Sequence, residues 1–230
     1  FYCNSKPVAT MALGSVFSTL QFVPLILLTV EAWRFKNMPK LAVNGVEHKH
    51  LGNFGFSEVF LFLIAVNFWN FFGAGVLGFI INLPIANYYE HGTYLTVNHG
   101  HAALMGVYGN LALATVLFCS QLLIKAEWWQ PKVIRIAFWS INIGLLLMIF
   151  LDLFPVGILQ FKTVTEKGLW FARSAAFVDS TAFQSFTWLR IIGGSVFTLG
   201  GVIPLVWHII RSSKGLKGIK TIKIDENSEV

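Results

Sequence analysis

Two histidines at the mouth of the longest apolar stretch are the residues with the clearest chemistry. His99 and His101 stand in the run Asn98–Gly106, which belongs to an uncharged segment from Tyr94 to Ile124. Histidine is costly inside a bilayer, so a pair of them at the start of a membrane helix needs an explanation. Residues two apart lie roughly 200° apart around a helix. The two rings therefore point to opposite sides of the helix and cannot chelate one metal ion.

Each histidine is instead placed to hold its own metal centre on one flank of the helix. The small residues nearby let flat, bulky groups approach the backbone; they are Gly100, Ala102, Ala103, Gly106 and Gly109. Two haem irons, each taking an axial imidazole, fit this arrangement. The other interpretation is a pair of interfacial histidines hydrated among lipid headgroups, and the spacing alone leaves both open.

The composition indicates an α-helical membrane protein that crosses the bilayer several times. Of the 230 residues, 55% are hydrophobic and 12% are charged, with a mean hydropathy of +0.66. A soluble domain carries about twice that charged fraction. The net charge of +6 reflects basic loops next to the membrane, so we expect a lipid bilayer as partner and no nucleic acid. Cys3 and Cys119 do not form a disulfide framework.

Apolar runs long enough to cross a bilayer predict an all-α bundle of five helices. We expect spans at about 8–30, 59–81, 94–124, 134–151 and 188–210 within a membrane domain of residues 1–211. Residues 212–230 form a polar tail that we expect on the cytoplasmic side. The chain starts at Phe1 rather than Met, and we expect that an N-terminal part is missing.

The basic residues predict the orientation of the bundle. One side collects twelve of them: Arg34, Lys36, Lys40, Lys49, Lys125, Lys132, Arg135, Arg211, Lys214, Lys217, Lys220 and Lys223. The positive-inside rule makes that side cytoplasmic, so the loop 82–93 is external. In the inner membrane of a bacterium, the end that carries His99 and His101 then faces the periplasm.

The residues between and within the spans lead to six further expectations. Pro84 should break the second helix, and Glu90 and His91 either satisfy a tight turn or hydrogen-bond haem propionates. The segment Phe154–Phe186 should lie on the outer surface as a short amphipathic piece. We expect no Asp, Glu, Lys or Arg deep in any span, and His208 should snorkel to the cytoplasmic interface. The asparagines within the spans should form interhelical hydrogen bonds; they are Asn67, Asn70, Asn110 and Asn142.

Several motifs in order resemble the catalytic subunit of nitric oxide reductases, in the haem–copper oxidase superfamily. The motifs are Phe72–Phe79 (FGAGVLGF), Asn87–Gly92 (NYYEHG), Asn98–His101 (NHGH), Gly106–Gly109 (GVYG), Ala12–Ser18 (ALGSVFS) and Trp188–Arg190 (WLR). The resemblance covers roughly the first 210 residues and is closest to the single-chain, quinol-dependent branch. It implies a bundle of the haem–copper oxidase catalytic-subunit type.

The resemblance also implies an activity, that of an oxidoreductase that converts nitric oxide in denitrification. It further implies the cofactors of this enzyme and their ligands. His99 would be the proximal ligand of a high-spin haem, and His101 an axial ligand of a low-spin haem. Both haems would be of the b type. A non-haem iron would take its ligands from helices upstream, as would the second ligand of the low-spin haem, so this fragment alone would be inactive.

Two positions depart from the family pattern. Gln21 stands where the reductases usually have a glutamate that serves proton delivery, and Gly194 stands where quinol-dependent members usually have an aspartate. Both departures resemble the nitric oxide dismutase subgroup, which converts two NO to N2 and O2 without net electrons or protons. The sequence thus favours a dismutase with little use of quinol. The alternatives are an ordinary quinol-dependent reductase that makes N2O, and a non-enzymatic di-haem electron carrier or inactive paralogue.

Overall fold

The computed structural model describes residues 8–36 and 56–216 and shows an all-α bundle, which confirms the predicted fold class. Five helices are long and apolar enough to cross a membrane: Val8–Glu31, Ser57–Asn82, Tyr94–Leu123, Pro131–Lys167 and Thr181–Gly215. We call them the first to fifth spans. Within the described ranges there is no β-strand beyond an isolated antiparallel bridge between Ile124 and Leu216.

Most spans are divided into α-helical and π-helical pieces. The first consists of Val8–Leu20 and Phe22–Lys36, and the second of Ser57–Trp69, the π-helical Asn70–Val76 and Leu77–Asn82. The third span consists of Tyr94–His101, the π-helical Ala102–Gly109 and Asn110–Leu123. The fourth consists of Pro131–Met148, the π-helical Ile149–Leu153 and Phe154–Lys167. The fifth comprises Thr181–Trp188, Arg190–Ser195, π-helical Val196–Val202 and Ile203–Ser212.

Short helices connect the spans. They are Pro84–Glu90, Ala126–Trp128, Phe171–Arg173 and Ala175–Val178, while Ser213–Gly215 ends the fifth span. Pro84 follows the end of the second span at Asn82, as its missing backbone donor predicts.

The fourth span is longer than the sequence suggested. Pro155 does not end it, because the proline follows the π-helical segment Ile149–Leu153 and lies in the first turn of Phe154–Lys167, where it needs no backbone donor. The helix continues to Lys167 and ends at Gly168, whose φ of 87° suits glycine. The expectation of a short amphipathic surface piece over Phe154–Phe186 is therefore wrong.

Glycines bring the fourth and fifth spans into backbone contact. A methyl group at Gly193 would lie 2.6 Å from the Met148 nitrogen and 2.8 Å from the Gly144 oxygen. A methyl group at Gly144 would lie 2.8 Å from the Gly193 oxygen. Such small residues permit the close packing that holds membrane helices together.

Three of the four asparagines predicted to form interhelical hydrogen bonds do so: Asn67, Asn110 and Asn142. Asn142 Oδ1 accepts a 2.8 Å hydrogen bond from Trp69 Nε1, and Asn142 and Asn110 exchange 3.3 Å hydrogen bonds. Asn67 Nδ2 lies 2.6 Å from Thr29 Oγ1 and so links the second span to the first.

The end of the bundle that contains His208 differs from the expectation for that residue. His208 is 1% exposed and therefore does not snorkel. It lies within the helix Ile203–Ser212 against the ring of Trp129, and Ser212 Oγ donates to the Trp128 carbonyl oxygen at 2.9 Å. The tail from residue 217 onward, like the loop 37–55 with His48 and His50, lies outside the described residues.

Candidate functional site

The candidate site begins at the turn that starts the third span. Thr93 caps the helix, because its Oγ1 accepts a hydrogen bond from the Leu95 nitrogen at 3.3 Å. Gly92 has a φ of 72°, which favours glycine at the turn. His99 and His101 then lie in the second turn of the helix, just before the π-helical segment Ala102–Gly109. Such segments often occur at functional sites.

His99 lies against the second span. Its Nδ1 is 2.9 Å from the Gly73 carbonyl oxygen, and a methyl group at Gly78 would lie 2.9 Å from its Cε1. A side chain at position 78 would therefore displace the ring. The two glycines of the second span thus accept and orient the imidazole.

His101 has different neighbours. Its Nδ1 is 3.0 Å from the carbonyl oxygen of Val97 in the previous turn of its own helix. Nothing lies within 4 Å of a methyl group placed at Gly100, between the two histidines. The two rings therefore occupy separate environments, as the spacing of two residues predicted.

Both histidines have the tautomer that an iron ligand needs. A carbonyl oxygen only accepts hydrogen bonds, so Nδ1 of each ring must carry the hydrogen and donate it. Nε2 then keeps its lone pair, and the backbone contact fixes the ring's orientation, as is usual for metal-binding histidines. These residues fit haem iron as axial ligands, one on each side of the helix.

A buried ion pair lies close to His101 and corrects the expectation that no charged residue lies deep in a span. Asp152 is 0% exposed, and its Oδ2 accepts a 2.5 Å hydrogen bond from Arg190 Nε. The guanidinium lies over the Tyr94 ring, 5.7 Å from its centroid. Asp152 is near enough to His101 for the two groups to interact electrostatically. The sequence shows one acidic and one basic residue near neighbouring spans. Their pairing could not be predicted from it, because the two residues are 38 positions apart and meet only through helix packing.

The two departures from the family pattern occupy different places. Gly194 lines an open groove of about 650 Å³ beside Arg190, and a methyl group at this position would meet nothing within 4 Å. Gln21 is exposed at the break between Val8–Leu20 and Phe22–Lys36. Within the described parts of the chain, no hydrogen bond joins the side chain of Gln21 to His99 or His101.

The turn between the second and third spans has one buried carboxyl group. Glu90 is 2% exposed and Thr96 Oγ1 donates to its Oε2 at 3.1 Å, while burial raises the pKa of Glu90 to about 7. Burial and the positive charge of Arg173 lower the pKa of His91, whose carbonyl oxygen accepts a 2.7 Å hydrogen bond from Arg173. These contacts support the interpretation that both residues satisfy the turn.

A third metal centre has no ligand set in the part of the chain that the structure covers. Between residues 8 and 36 and between 56 and 216, no three His, Cys, Asp or Glu side chains come together in a metal-binding arrangement. Any non-haem iron would need ligands from elsewhere.

Comparisons with known proteins show the family of the chain. The family model for cytochrome c and quinol oxidase polypeptide I matches residues 1–196. A nitric oxide reductase subunit of Stutzerimonas stutzeri is 28% identical over 215 residues, which cover 89% of this chain and 41% of that protein. The chain thus spans about two-fifths of that relative's length. The helices, the histidine pair and the family match together place the chain in the cytochrome c and quinol oxidase polypeptide I family of the haem–copper oxidase superfamily, with a nitric oxide reductase among its relatives.

Proposed function

We propose that this chain is the haem-holding part of a membrane enzyme that converts two NO molecules to N2 and O2. The observation that carries the proposal of a haem enzyme is the pair of histidines on one helix. Each donates Nδ1–H to a backbone carbonyl and keeps Nε2 for iron. The similarity to the nitric oxide reductase of Stutzerimonas stutzeri supports nitric oxide as the substrate.

The two histidines have different roles in this proposal. His99, held by the second span through Gly73 and Gly78, is the proximal ligand of the high-spin haem. His101 is an axial ligand of the low-spin haem. When bound, the haems supply NO binding and one-electron chemistry. A non-haem iron would need ligands from outside the described residues of this chain.

Dismutation rather than reduction is supported by the residues at positions 21 and 194. Reduction of two NO to N2O and water needs two electrons and two protons. Gln21 cannot titrate, and Gly194 leaves the groove beside Arg190 without a group that accepts a quinol proton. Asp152 does not replace that group, because it is buried and paired with Arg190. Dismutation of NO is balanced internally and needs no donor.

The first experiment supplies isotopically labelled NO to membranes that contain the full-length protein, without an electron donor. We expect labelled N2 and O2, measured by mass spectrometry. Formation of N2O alone, and only when quinol is supplied, would identify an ordinary reductase, which the similarity to the Stutzerimonas stutzeri reductase favours. A protein with both haems that releases neither product, with or without quinol, would be an electron carrier or inactive paralogue.

Matched variants separate the two reactions. The Gly194→Asp variant should fold, because the aspartate side chain fits the open groove. Combined with Gln21→Glu, this substitution should raise quinol-dependent N2O formation. Gly194→Asn with unchanged Gln21 has the same shape as the aspartate but cannot titrate, and it should leave the products unchanged.

A further inference from the structure

A cleft between the second, third and fourth spans contains a polar group that no neighbour satisfies. The cleft has a volume of about 280 Å³, and Asn98 of the third span lines it. We call it the Asn98 cleft. The Asn98 side chain is 1% exposed, and its Oδ1 is buried without a hydrogen-bond partner in the described structure. Burying an amide oxygen without a partner costs free energy, so this group needs an explanation.

The packing around Asn98 does not supply the missing partner. Asn98 and Ala102 are four residues apart and share one face of the third span. Ala102 packs so closely on the second span that a methyl group at Gly73 would collide with it. The other polar side chain at the cleft is already paired, because Trp69 Nε1 donates to Asn142 Oδ1 at 2.8 Å. The Asn98 oxygen is therefore the hydrogen-bond acceptor that the cleft offers to a ligand.

Aromatic rings form much of the remaining wall. Phe68 and Phe72 extend into it from the second span, and Phe150 and Phe154 from the fourth. The Phe68 ring centroid lies 5.1 Å from that of Phe72 and 5.3 Å from that of Trp69. The four phenylalanines are exposed, so the cleft opens on the apolar surface of the described bundle. None of the described residues that line it is charged, so the walls favour a flat, neutral ring over a charged headgroup.

A second cleft of similar size lacks the polar group. It lies between the third, fourth and fifth spans, has a volume of about 310 Å³ and includes Met105, Ile141 and Val206. Its described lining consists of glycine and apolar side chains only. A membrane-facing cleft of this size therefore does not need a buried amide, and Asn98 distinguishes the first cleft from the second.

We propose that the Asn98 cleft binds a neutral phenolic ring whose hydroxyl group donates a hydrogen bond to Asn98 Oδ1. An apolar cavity of about 150 Å³ is large enough for benzene, so this cleft has room for a ring with a substituent. An acyl chain alone would leave the amide oxygen unpaired. A lipid-soluble phenol and the head of a quinol share the required chemistry. Asn98 cannot take up a proton, so the cleft binds the ring without oxidising it.

The bound ring would lie directly behind the candidate haem ligand. Gly73 lines the cleft, and its carbonyl oxygen lies 2.9 Å from His99 Nδ1. Asn98 also immediately precedes His99 in the chain. The site is nevertheless separate from the proposed haem site, because its contacts come from the protein alone.

The test uses two photoreactive probes, a phenol that carries a diazirine and the same compound without the hydroxyl group. Each is illuminated with the full-length protein in lipid nanodiscs, and mass spectrometry locates the label. The phenol should label residues 68–77 and 146–154 saturably. Its half-saturation should come at a concentration about 3- to 10-fold lower than that of the compound without the hydroxyl group. Equal half-saturation of the two probes, or saturable labelling only outside these segments, would overturn the inference.

Variants test which residues hold the probe. Asn98→Leu keeps a side chain of similar size and removes the acceptor, so the two probes should then saturate alike. Val76→Trp places a large side chain in the Asn98 cleft and should abolish the labelling of both segments. The matched control is Val206→Trp, which places the same side chain in the second cleft and should label like the wild type. If Asn98→Leu does not assemble, the comparison of Val76→Trp with Val206→Trp decides.

Competition with unlabelled compounds identifies the class of ligand. Phenol should displace the probe, and cyclohexanol, which has a hydroxyl group but no aromatic ring, should do so less well. Equal competition by cyclohexanol would show that the ring is not recognised and would contradict the proposal. A quinol that competes as well as phenol would identify quinols as the source of the ring, and a quinol that does not compete would identify other phenols. The labelling does not involve haem, so its failure would leave the proposed function intact.

Discussion

At the scale of single residues, one hydrogen bond decides what each histidine can do. The Gly73 carbonyl oxygen holds Nδ1 of His99 and the Val97 carbonyl oxygen holds Nδ1 of His101, so Nε2 of each ring is available to a metal ion. The opposite orientation of the two rings could be predicted from the sequence, because it depends only on the helical repeat. The acceptors could not, because Gly73 lies 26 positions from His99 and reaches it through helix packing.

Glu90 gives a prediction about pH at the same scale. Burial raises its pKa from 4.5 to about 7, so between these values the folded protein binds a proton that the unfolded chain has lost. The contribution of Glu90 to stability is therefore present at low pH and is lost as the pH rises toward 7. We expect the unfolding temperature of the wild type, relative to Glu90→Gln, to fall between pH 5 and pH 8.

Tryptophan fluorescence of the full-length protein in detergent measures this difference. Both proteins contain His91, whose lowered pKa acts in the opposite direction, so its effect cancels in the comparison. Glu127→Gln changes an exposed carboxylate near the opposite end of the third span and should keep the wild-type pH dependence. An equal pH dependence in the wild type and Glu90→Gln would show that Glu90 titrates normally.

At the scale of elements, glycines decide which helices approach each other. Gly193 contacts the fourth span through backbone atoms of Met148 and Gly144, whereas its neighbour Gly194 faces the open groove. The helices could be predicted from apolar runs, but the packing partner of each glycine could not. The sequence analysis did not predict that the fourth span continues past Pro155. Hydropathy does not reveal the π-helical segment that precedes this proline.

The neighbouring glycines form a matched pair for mutation. Gly193→Ala places a methyl group against backbone atoms and should destabilise the bundle by about 1–3 kcal/mol through overpacking. Gly194→Ala has free space and should be neutral or slightly stabilising, because alanine favours helices. Thermal unfolding in detergent compares the two variants. Equal loss of stability in both would contradict the assigned contact between the fourth and fifth spans.

At the scale of the whole molecule, five spans make up the described part of the bundle. The third span begins after the turn at Gly92, and the fourth begins at Pro131 beside Lys125, Lys132 and Arg135. The division into spans follows from composition, so the sequence predicted it well. The ion pair between Asp152 and Arg190 and the burial of His208 depend on neighbouring helices, so hydropathy did not reveal them.

The orientation expected from the basic residues predicts the labelling of cysteines in intact cells. Tyr88→Cys should react with an impermeant thiol reagent, because position 88 is exposed and would face the periplasm in that orientation. Lys132→Cys should react only after the membrane is permeabilised. Both variants need Cys3 and Cys119 replaced by serine to remove background labelling. The reverse pattern would place the histidine pair nearer the cytoplasm.

The central claim is that one helix presents His99 and His101 as ligands to two separate haems. Optical and electron paramagnetic resonance spectra of the full-length protein with His99→Ala or His101→Ala test it most directly, with His91→Ala in the turn before the third span as the control. We predict that His101→Ala loses the low-spin haem signal and keeps the high-spin one, whereas His99→Ala alters the high-spin signal and keeps the low-spin one. His91→Ala should retain both signals. Normal spectra of both haems in both His99→Ala and His101→Ala would contradict the claim.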